Sequence, residues 1–279
     1  MKNILIIGAN GFTGRRILND LSVNPIYHVT GCSLRDDICP GKDYRFVRTD
    51  IRDENEVRKL FKECRPDIVI NTSALSVPDY CETHHAEAEA TNVTAVETIA
   101  HVCEQYGSRF IHLSTDFVFD GKSTRLYKEE DEAIPVNYYG VTKLKAEKII
   151  ASICSNYAIV RVVVVYGKAL PGQHGNILQL VANRLRNGET IRVVSDQWRT
   201  PTFVGDISVG VEKLMFHTAN GIYHICGSEC LTIAEIAYRV ADFLKLDRSL
   251  IEPVTTEEMK EVTPRPRFSG LSIEKAKAE

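Results

Sequence analysis

Tyr139 and Lys143 lie four residues apart in the segment "NYYGVTKLKAEK", which covers 137–148. On a helix this spacing places both side chains on one face, whereas the neighbouring Tyr138 faces about 100° away. A cation beside a phenol favours the ionised form of the phenol, and such a tyrosine can protonate a carbonyl oxygen that receives a hydride. Because the same spacing is common in plain surface pairs, the function depends on what the rest of the chain brings to this helix.

The segment "LSTDFVFDG" (113–121) supplies hydroxyl groups where a predicted strand ends, upstream of that helix. Catalytic groups of open α/β sheets gather at the carboxyl ends of strands. Ser114, Thr115 and Asp116 therefore stand where a hydroxyl could share the substrate carbonyl with Tyr139. The alternative is a strand-end turn capped by Ser, Thr and Asp side chains.

A glycine-rich segment, "GANGFTG", places Gly8, Gly11 and Gly14 between the first predicted strand and the first predicted helix. Dinucleotide sites use glycine for the tight turn, for close approach of backbone to pyrophosphate and for packing of helix on strand. The helix N-terminus then faces the negative phosphates. This strand–turn–helix context predicts dinucleotide binding.

The choice of dinucleotide depends on the end of the second strand, which reads "GCSLRDD". NAD sites commonly place an acidic residue there to bond the ribose 2′-hydroxyl. Ser33 and Arg35 stand nearest that place, with Asp36 and Asp37 just beyond, and Ser33 and Arg35 could hold a 2′-phosphate. NADP(H) is therefore favoured and NAD(H) is possible, while a solvated turn is the alternative for these residues.

The hydrophobic pattern predicts the elements that position these motifs. Strands and helices alternate through the first half of the chain, which indicates a Rossmann-like α/β fold, a doubly wound parallel sheet with a smaller C-terminal substrate-binding lobe. The NAD(P)-binding domain is predicted over 1–167, with some later segments returning to it, and 168–279 mainly forms the lobe. The strands are predicted at 2–8, 27–33, 44–48, 67–71, 109–114, 157–166 and 221–226, and the helices at 13–21, 54–63, 88–106, 137–153, 206–217 and 232–246.

Composition excludes some functions. The 279-residue chain has a net charge of −3 and 25% charged residues, which offers no electrostatic basis for binding nucleic acid or an anionic membrane surface. No apolar run approaches membrane-spanning length, and a cytoplasmic protein with reduced thiols is expected from scattered cysteines without a signal segment. Cys81, His84 and His85 lie close together but lack a second ligand pair, so no metal site is predicted.

Together, "GANGFTG", "STDFVFDG", "YYGVTK" and "DQWRTPTFVGDI" resemble motifs of the extended short-chain dehydrogenase/reductases. More narrowly, the chain is similar to the dTDP-4-dehydrorhamnose reductases over nearly its whole length, down to "RPRFSGLSIEKAK" near the C-terminus. The resemblance implies NAD(P)H-dependent reduction of the 4-keto group of a nucleotide-activated deoxysugar. The substrate expected first is dTDP-4-dehydro-L-rhamnose, and a homodimer is possible.

The resemblance also assigns roles to residues. Tyr139 would be the acid, Lys143 would hold the nicotinamide ribose and tune Tyr139, and Thr115 would orient the keto oxygen. Besides Tyr139 and Lys143, the implied cofactor contacts are Gly8, Asn10, Gly11, Phe12, Gly14, Ser33, Arg35, Asp50, Ile51, Ser73, Ala74 and Asn92. The residues expected around the substrate are Asp116, Phe117, Val164, Gln197, Trp198, Arg199 and Thr200.

Two positions depart from the family pattern. Relatives usually carry tyrosine where this chain has Phe117, and tryptophan where it has Val164. A hydroxyl and an aromatic wall expected near the sugar are therefore missing. Reductase chemistry is still expected, but the resemblance no longer identifies the substrate.

Other functions stay open at this point. Dehydratases of the superfamily typically carry an acidic residue at the position of Phe117, so that chemistry is disfavoured, whereas epimerases use the same Tyr–Lys pair. A non-catalytic alternative is a regulatory subunit, because the β subunit of methionine adenosyltransferase also looks like these reductases and binds NADP.

Overall fold

The computed structural model describes residues 1–40, 43–173 and 175–279. The strands are β1 (Lys2–Ile7), β2 (Tyr27–Ser33), β3 (Arg45–Arg48), β4 (Ile68–Asn71), β5 (Arg109–Thr115), β6 (Tyr157–Val162), β7 (Val165–Tyr166), β8 (Ile191–Val194), β9 (Trp198–Arg199), β10 (Thr202–Phe203), β11 (Gly221–His224), β12 (Leu231–Thr232) and β13 (Ile251–Val254). The helices are α1 (Phe12–Ser22), α2 (Glu54–Cys64), α3 (Pro78–Thr83), α4 (His85–Glu89), α5 (Ala95–Tyr106), α6 (Tyr138–Ile153), α7 (Ile177–Arg186), α8 (Val204–Leu214), α9 (Ile233–Leu244), α10 (Thr256–Met259) and α11 (Glu274–Ala278).

A parallel sheet of strand order β3-β2-β1-β4-β5-β6-β11 runs through the described molecule. The strand order reverses direction beside β1, which is the switch point where doubly wound folds bind their ligands. The predicted Rossmann-like α/β fold is confirmed.

Strand residues alternate between two hydrophobic cores, one on each face of the sheet. Ile4 and Ile6 of β1 pack with α1 and α8, whereas Leu5 and Ile7 pack with α2, α5 and α6. Successive side chains of a strand point to opposite faces, so the unbroken apolar run of β1 is buried on both sides. These helices therefore hold the carboxyl ends of the strands in fixed positions along one edge.

A third hydrophobic core lies in the C-terminal part of the chain, between α7, β8, α9 and β13. Not all of that part belongs to it. The strand β11 pairs in parallel with β6 at the edge of the central sheet, and α8 packs beside α1 on its face. Both segments thus return to the first domain from beyond residue 168.

Three predicted elements differ from the structure. The helix predicted over 88–106 contains a π-helical turn at Ala90–Thr94, between α4 and α5. The strand predicted over 157–166 is broken between β6 and β7. The segment 196–205, for which no strand was predicted, contains the short strands β9 and β10, which pair with β12 and β7. Each change lies beside the candidate site.

All eight cysteines are free thiols. Across the described ranges, no helix combines the length and the apolar character needed to cross a bilayer.

Candidate active site

One face of α6 carries Tyr139, Lys143 and Glu147, each one helical turn from the next and each buried. Strand β5 packs against this face with His112 and Ser114, two residues apart and therefore on the same side of the strand. Lys143 meets His112, and Glu147 meets Ser114. Tyr139 lies one turn before Lys143 on α6, and its hydroxyl lies beside Thr115, the last residue of β5.

The start of α6 explains why Tyr139 is held in place. The Asn137 side chain caps the helix by accepting a hydrogen bond from the Gly140 backbone N–H at 2.9 Å. Gly140 has no room for a side chain, because a Cβ there would lie 2.2 Å from the Phe117 carbonyl oxygen. The glycine therefore lets the turn after β5 approach the first turn of α6.

Tyr139 is a protonated phenol in this environment. Burial raises its pKa well above the usual tyrosine value, the Asp116 charge raises the pKa further, and the neighbouring Thr115 hydroxyl opposes these effects. The ring of Tyr139 lies edge-on to Phe117, with centroids 5.9 Å apart. A buried, protonated phenol beside a second hydroxyl is suited to donate a proton to a substrate oxygen.

Lys143 faces β5 in this structure. Its Nζ donates to the Leu113 carbonyl oxygen at 2.7 Å and lies 2.8 Å from His112 Nε2. Burial lowers the pKa of Lys143 to about 8, with Glu147 opposing the shift. The role of Lys143 in holding a ribose and tuning Tyr139 stays a prediction.

Tyr138 is the rim neighbour. Its hydroxyl donates to Glu89 at 3.1 Å, and its ring stacks on His85 with centroids 3.7 Å apart. The nearby Cys81 thiol donates to the Leu75 carbonyl oxygen. Within the described ranges, no group of three or more His, Cys, Asp or Glu side chains could hold a metal ion.

Asp116 and Arg199 form the polar centre of the predicted substrate region. Arg199 Nε lies 3.6 Å from Asp116 Oδ2, and both side chains are buried. Burial raises the pKa of Asp116, although Arg199, Ser269 and Thr115 all favour its charged form. The Arg199 guanidinium also lies 6.0 Å from the centre of the Phe117 ring. The structure thus brings together Asp116, Phe117 and Arg199.

The other predicted substrate residues divide into two groups. Gln197 is buried and accepts a hydrogen bond from Arg199 Nη2 at 3.2 Å, and buried Thr200 accepts one from the Leu271 backbone N–H at 3.1 Å. Trp198 is 40% exposed against 2% for Arg199, because successive residues of β9 face opposite ways. The structure does not bring Trp198 into the cluster.

Val164 has an unusual backbone. Its φ of 39° lies in the left-handed region, where a β-branched residue is a genuine outlier. The Thr202 backbone N–H bonds the Val163 and Val164 carbonyl oxygens at 3.0 and 3.2 Å, which holds this break between β6 and β7. Such strain is found mostly where function requires it.

The glycine loop has the geometry predicted for a phosphate site. Gly8 has a φ of 83°, and a Cβ on Gly14 would lie 2.3 Å from the Gly8 carbonyl oxygen. Both positions therefore require glycine, one for its backbone angle and one for packing of α1 on the loop. Gly11 is the N-cap of α1, where Phe12 begins the helix.

Asn10 ties this loop to the segment after β2. Its amide donates to the backbone carbonyl oxygens of Arg35 at 3.2 Å and Asp36 at 2.8 Å. The Arg35 side chain is exposed and Ser33 is half-buried beside it. Asp37 is paired with Arg15 at 2.5 Å, and Asp36, adjacent to Arg35 in the sequence, is exposed.

The remaining cofactor candidates lie along the same edge of the sheet. Asp50 and Ile51 follow β3, and the Asp50 carboxylate pairs with Arg52 at 2.6 Å, which lowers the pKa of Asp50. Ser73 and Ala74 follow β4 after one intervening residue, Thr72. Asn92 lies in the π-helical turn, where its side chain bonds the Leu75 backbone and the Thr142 hydroxyl. Asn92 is wholly buried in these bonds.

Several residues of the site carried no distinct signal in the sequence. His112 contacts Lys143, and Arg161 of β6 pairs with Glu147 at 2.6 Å, with both side chains of that pair nearly fully buried. The signal available in the sequence was the four-residue spacing of Lys143 and Glu147 on α6 and the two-residue spacing of His112 and Ser114 on β5. Their partners become evident only when β5 and α6 are aligned.

The order of the parallel strands and the Tyr–Lys helix at their carboxyl edge are those of an extended short-chain dehydrogenase/reductase. The family described as "RmlD substrate binding domain" matches residues 1–279. The chain belongs to this family, which confirms the predicted resemblance.

Relatives cover nearly the whole chain. It is 30% identical to the probable low-salt glycan biosynthesis reductase Agl14 of Haloferax volcanii, covering 98% of this chain and 91% of the relative. It is 32% identical to methionine adenosyltransferase 2 subunit beta of Xenopus laevis, over 98% of this chain and 81% of that protein. The structure superposes on dTDP-4-dehydrorhamnose reductase of Bacillus anthracis in complex with NADP, with a TM-score of 0.88, 26% identity, and coverage of 100% and 93% of the two chains.

These likenesses confirm two predictions at the level of class: an NAD(P)-dependent oxidoreductase and a nicotinamide dinucleotide as cofactor. The glycine loop, the switch point beside β1 and the Tyr139–Lys143 helix stay the predicted contacts for that cofactor. The relatives differ among themselves in their named activities, so the particular substrate does not follow from them.

Proposed function

We propose that this protein reduces the 4-keto group of a nucleotide-activated deoxysugar with NADPH, most simply dTDP-4-dehydro-L-rhamnose to dTDP-L-rhamnose. The observation that carries the proposal is the buried, protonated Tyr139 phenol, which lies one helical turn from Lys143 and beside Thr115 at the carboxyl edge of the sheet. The named activity of the Bacillus anthracis neighbour supports this reaction. Residues 1–167, with β11 and α8, would bind the dinucleotide, and the C-terminal lobe would bind the sugar nucleotide.

In this reaction, the cofactor supplies hydride to the keto carbon. Tyr139 would donate its proton to the keto oxygen while Thr115 bonds the same oxygen and orients it. Arg199 would face the diphosphate, and Asp116 would compensate its charge before the substrate enters. Because Arg199 is nearly fully buried, its attraction for a phosphate is weakly screened by solvent.

NADPH is favoured over NADH by the turn after β2. Arg35 is exposed there and Ser33 lies two residues before it, whereas the nearby Asp37 is paired with Arg15. A 2′-phosphate would meet a free guanidinium and a hydroxyl, and such charge-assisted bonds are stronger than neutral ones.

The test is direct. Purified protein mixed with NADPH and a panel of dTDP- and UDP-4-keto-6-deoxysugars should consume NADPH, followed at 340 nm. The dTDP-4-dehydro-L-rhamnose reaction should give a product with the retention time of dTDP-L-rhamnose. Tight NADPH binding with no turnover of any sugar in the panel would reject the proposal that the protein is a reductase.

A second candidate is a regulatory subunit. The 32% identity to methionine adenosyltransferase 2 subunit beta over 98% of this chain favours it. One experiment distinguishes the two functions. A regulatory subunit would co-purify with a methionine adenosyltransferase and alter the rate of that enzyme in the absence of any keto-sugar. The homodimer stays a prediction that sedimentation of the purified protein would test.

A further inference from the structure

A chain of buried hydrogen bonds ends on Lys143. Ser73 donates to Asn71 Oδ1 from both its backbone N–H, at 3.0 Å, and its hydroxyl, at 2.6 Å. Asn71 Nδ2 lies 3.2 Å from His112 Nδ1, and His112 Nε2 lies 2.8 Å from Lys143 Nζ. Asn71 and His112 are fully buried and Lys143 is 2% exposed, so water does not replace any of these bonds.

The direction of the chain is set at its start. A backbone N–H can only donate, so the carbonyl oxygen of the Asn71 amide has to face Ser73. The NH₂ group of Asn71 then faces His112, and because it has only donors, Nδ1 of the imidazole has to accept. Burial holds the pKa of His112 well below its usual value, so the ring is neutral. A neutral imidazole carries one proton, which must then be on Nε2.

The Nε2–H of His112 therefore points at Lys143. An ammonium has three donors and no acceptor, whereas a neutral amine has a lone pair that can accept this bond. A neutral Lys143 can also keep its bond to the Leu113 carbonyl oxygen at 2.7 Å. With a charged Lys143, two donors would face each other across 2.8 Å.

The other groups facing Lys143 do not remove this preference. Glu147, one turn along α6, favours the charged amine, but its carboxylate already accepts from Arg161 at 2.6 and 3.0 Å and from Ser114 at 2.5 Å. Tyr139, one turn earlier, is a neutral phenol whose pKa is raised by burial. Burial outweighs Glu147 and lowers the pKa of Lys143 to about 8, and the Nε2–H of His112, whose nitrogen lies 2.8 Å away, disfavours the ammonium further.

We propose that the Ser73–Asn71–His112 chain holds Lys143 as an uncharged amine in the cofactor-free protein, and that Lys143 takes up one proton from solvent when the dinucleotide binds. The negative phosphates of the dinucleotide favour the ammonium. The Nε2–H of His112 then has no acceptor on Lys143, so His112 has to move its proton to Nδ1 or break one hydrogen bond. His112 is thus a positioning residue that acts through Lys143. The second half of this inference rests on the proposed dinucleotide site.

The test is a titration of Lys143 itself. Lysine labelled with ¹³C at Cε would be followed by NMR, with the Lys143 signal assigned by its loss in Lys143→Arg. Without cofactor, the midpoint should lie below about 7, more than three units below the ordinary lysine value of about 10.4. Saturating NADPH should raise the midpoint by more than one unit. A cofactor-free midpoint above about 7 would overturn the inference, and so would a midpoint that NADPH leaves unchanged.

Asn71→Asp tests the direction of the chain with almost no change of shape. One carboxylate oxygen still accepts from Ser73, and the other now accepts a proton-bearing Nδ1, which makes Nε2 an acceptor for a charged Lys143. The cofactor-free midpoint should rise by at least one unit. Asn55→Asp, which adds the same charge at an exposed position of α2, should leave it unchanged. Equal shifts in the two variants would overturn the proposal.

The wild-type titration decides the inference even if Asn71→Asp does not fold. The NMR measurement requires no turnover, so the two proposals fail separately. A low midpoint that rises with NADPH in a protein inactive on every keto-sugar would reject the reductase function alone. An active reductase whose Lys143 titrates near 10.4, the ordinary value, would reject the inference alone.

Discussion

Replacing Tyr139 by phenylalanine removes one hydroxyl and leaves the ring in its cluster. The ring packs with Cys81, Ala88 and Phe117, so the variant keeps the apolar contacts that fix the start of α6. The Thr115 hydroxyl keeps its bonds to Asp116 and to the Phe117 backbone N–H. We therefore expect little change in the free energy of unfolding or in NADPH affinity.

The loss of rate follows from the role assigned to that hydroxyl. A positioned acid contributes about 10² to 10⁴ in rate, which corresponds to about 3 to 5.5 kcal/mol of activation free energy at about 1.4 kcal/mol per decade. Tyr139→Phe should therefore lower kcat by at least about 100-fold. The measurement is NADPH consumption at 340 nm with a saturating keto-sugar, beside fluorescence titration of NADPH.

Tyr138→Phe is the matched control. It removes one hydroxyl from the adjacent residue, whose bond is to the partly exposed Glu89 carboxylate. That bond is worth about 1 kcal/mol or less to stability, and its loss should leave kcat within about threefold, since the hydroxyl does not face Thr115. Equal losses of kcat in the two variants would show that Tyr139 is not the acid. Loss of NADPH binding in Tyr139→Phe would show that the effect is structural.

Three further predictions concern packing, cofactor choice and pH. Gly140→Ala should lower the free energy of unfolding by about 2 kcal/mol or more, because its Cβ would meet the Phe117 carbonyl oxygen. Gly188 has a left-handed backbone but open space around it, so Gly188→Ala should lower the free energy of unfolding by only about 1 kcal/mol. Urea unfolding of the two variants measures the difference. Arg35→Ala should weaken NADPH binding by roughly 10-fold or more and leave NADH binding unchanged, and an equal effect on both cofactors would contradict contact with the 2′-phosphate. Burial lowers the pKa of His224 to about 3, whereas the unfolded chain binds that proton near pH 6.5. The free energy of unfolding should therefore fall as pH decreases from about 6.5 to 3, by at most about 1.4 kcal/mol per pH unit. His224→Gln should flatten this decrease.

The sequence predicted the sheet because its physics is local. Strands such as β1 are continuous apolar runs flanked by turn residues, and both faces of each are covered by helices whose stripes are equally plain. The glycine loop was predictable for a related reason, since Gly8 and Gly14 meet steric requirements that few other residues satisfy. The predicted helix over 137–153 agrees with α6 to within one residue.

What the sequence did not reveal depends on contacts between distant segments. The π-helical turn at Ala90–Thr94 has ordinary helix-forming neighbours, and its purpose emerges only from the bonds of Asn92 to Leu75 and Thr142. The left-handed backbone of Val164 is contrary to the preference of a β-branched residue, and the bonds from Thr202 hold it there. Local backbone preferences therefore mispredict the structure where tertiary contacts determine the backbone geometry. Both mispredicted segments lie beside the candidate site.

The residues that distinguish this chain from its reductase relatives lie together with those mispredicted segments. Phe117 packs between Tyr139 and Arg199, and Val164 stands at the break after β6, so two apolar side chains occupy the positions where the resemblance led us to expect a hydroxyl and an indole. A site that bonds a substrate hydroxyl rejects an analogue lacking it by about 10⁴-fold or more, whereas an apolar wall rejects an added hydroxyl by only about 100-fold. Under the proposed function, recognition at this end of the substrate would therefore depend on shape, and contacts of Arg199 with the diphosphate would carry a larger share of the affinity. Sugars that differ in ring hydroxyls should compete closely, which is why a panel of nucleotide-sugars, and not one of them, is the decisive assay.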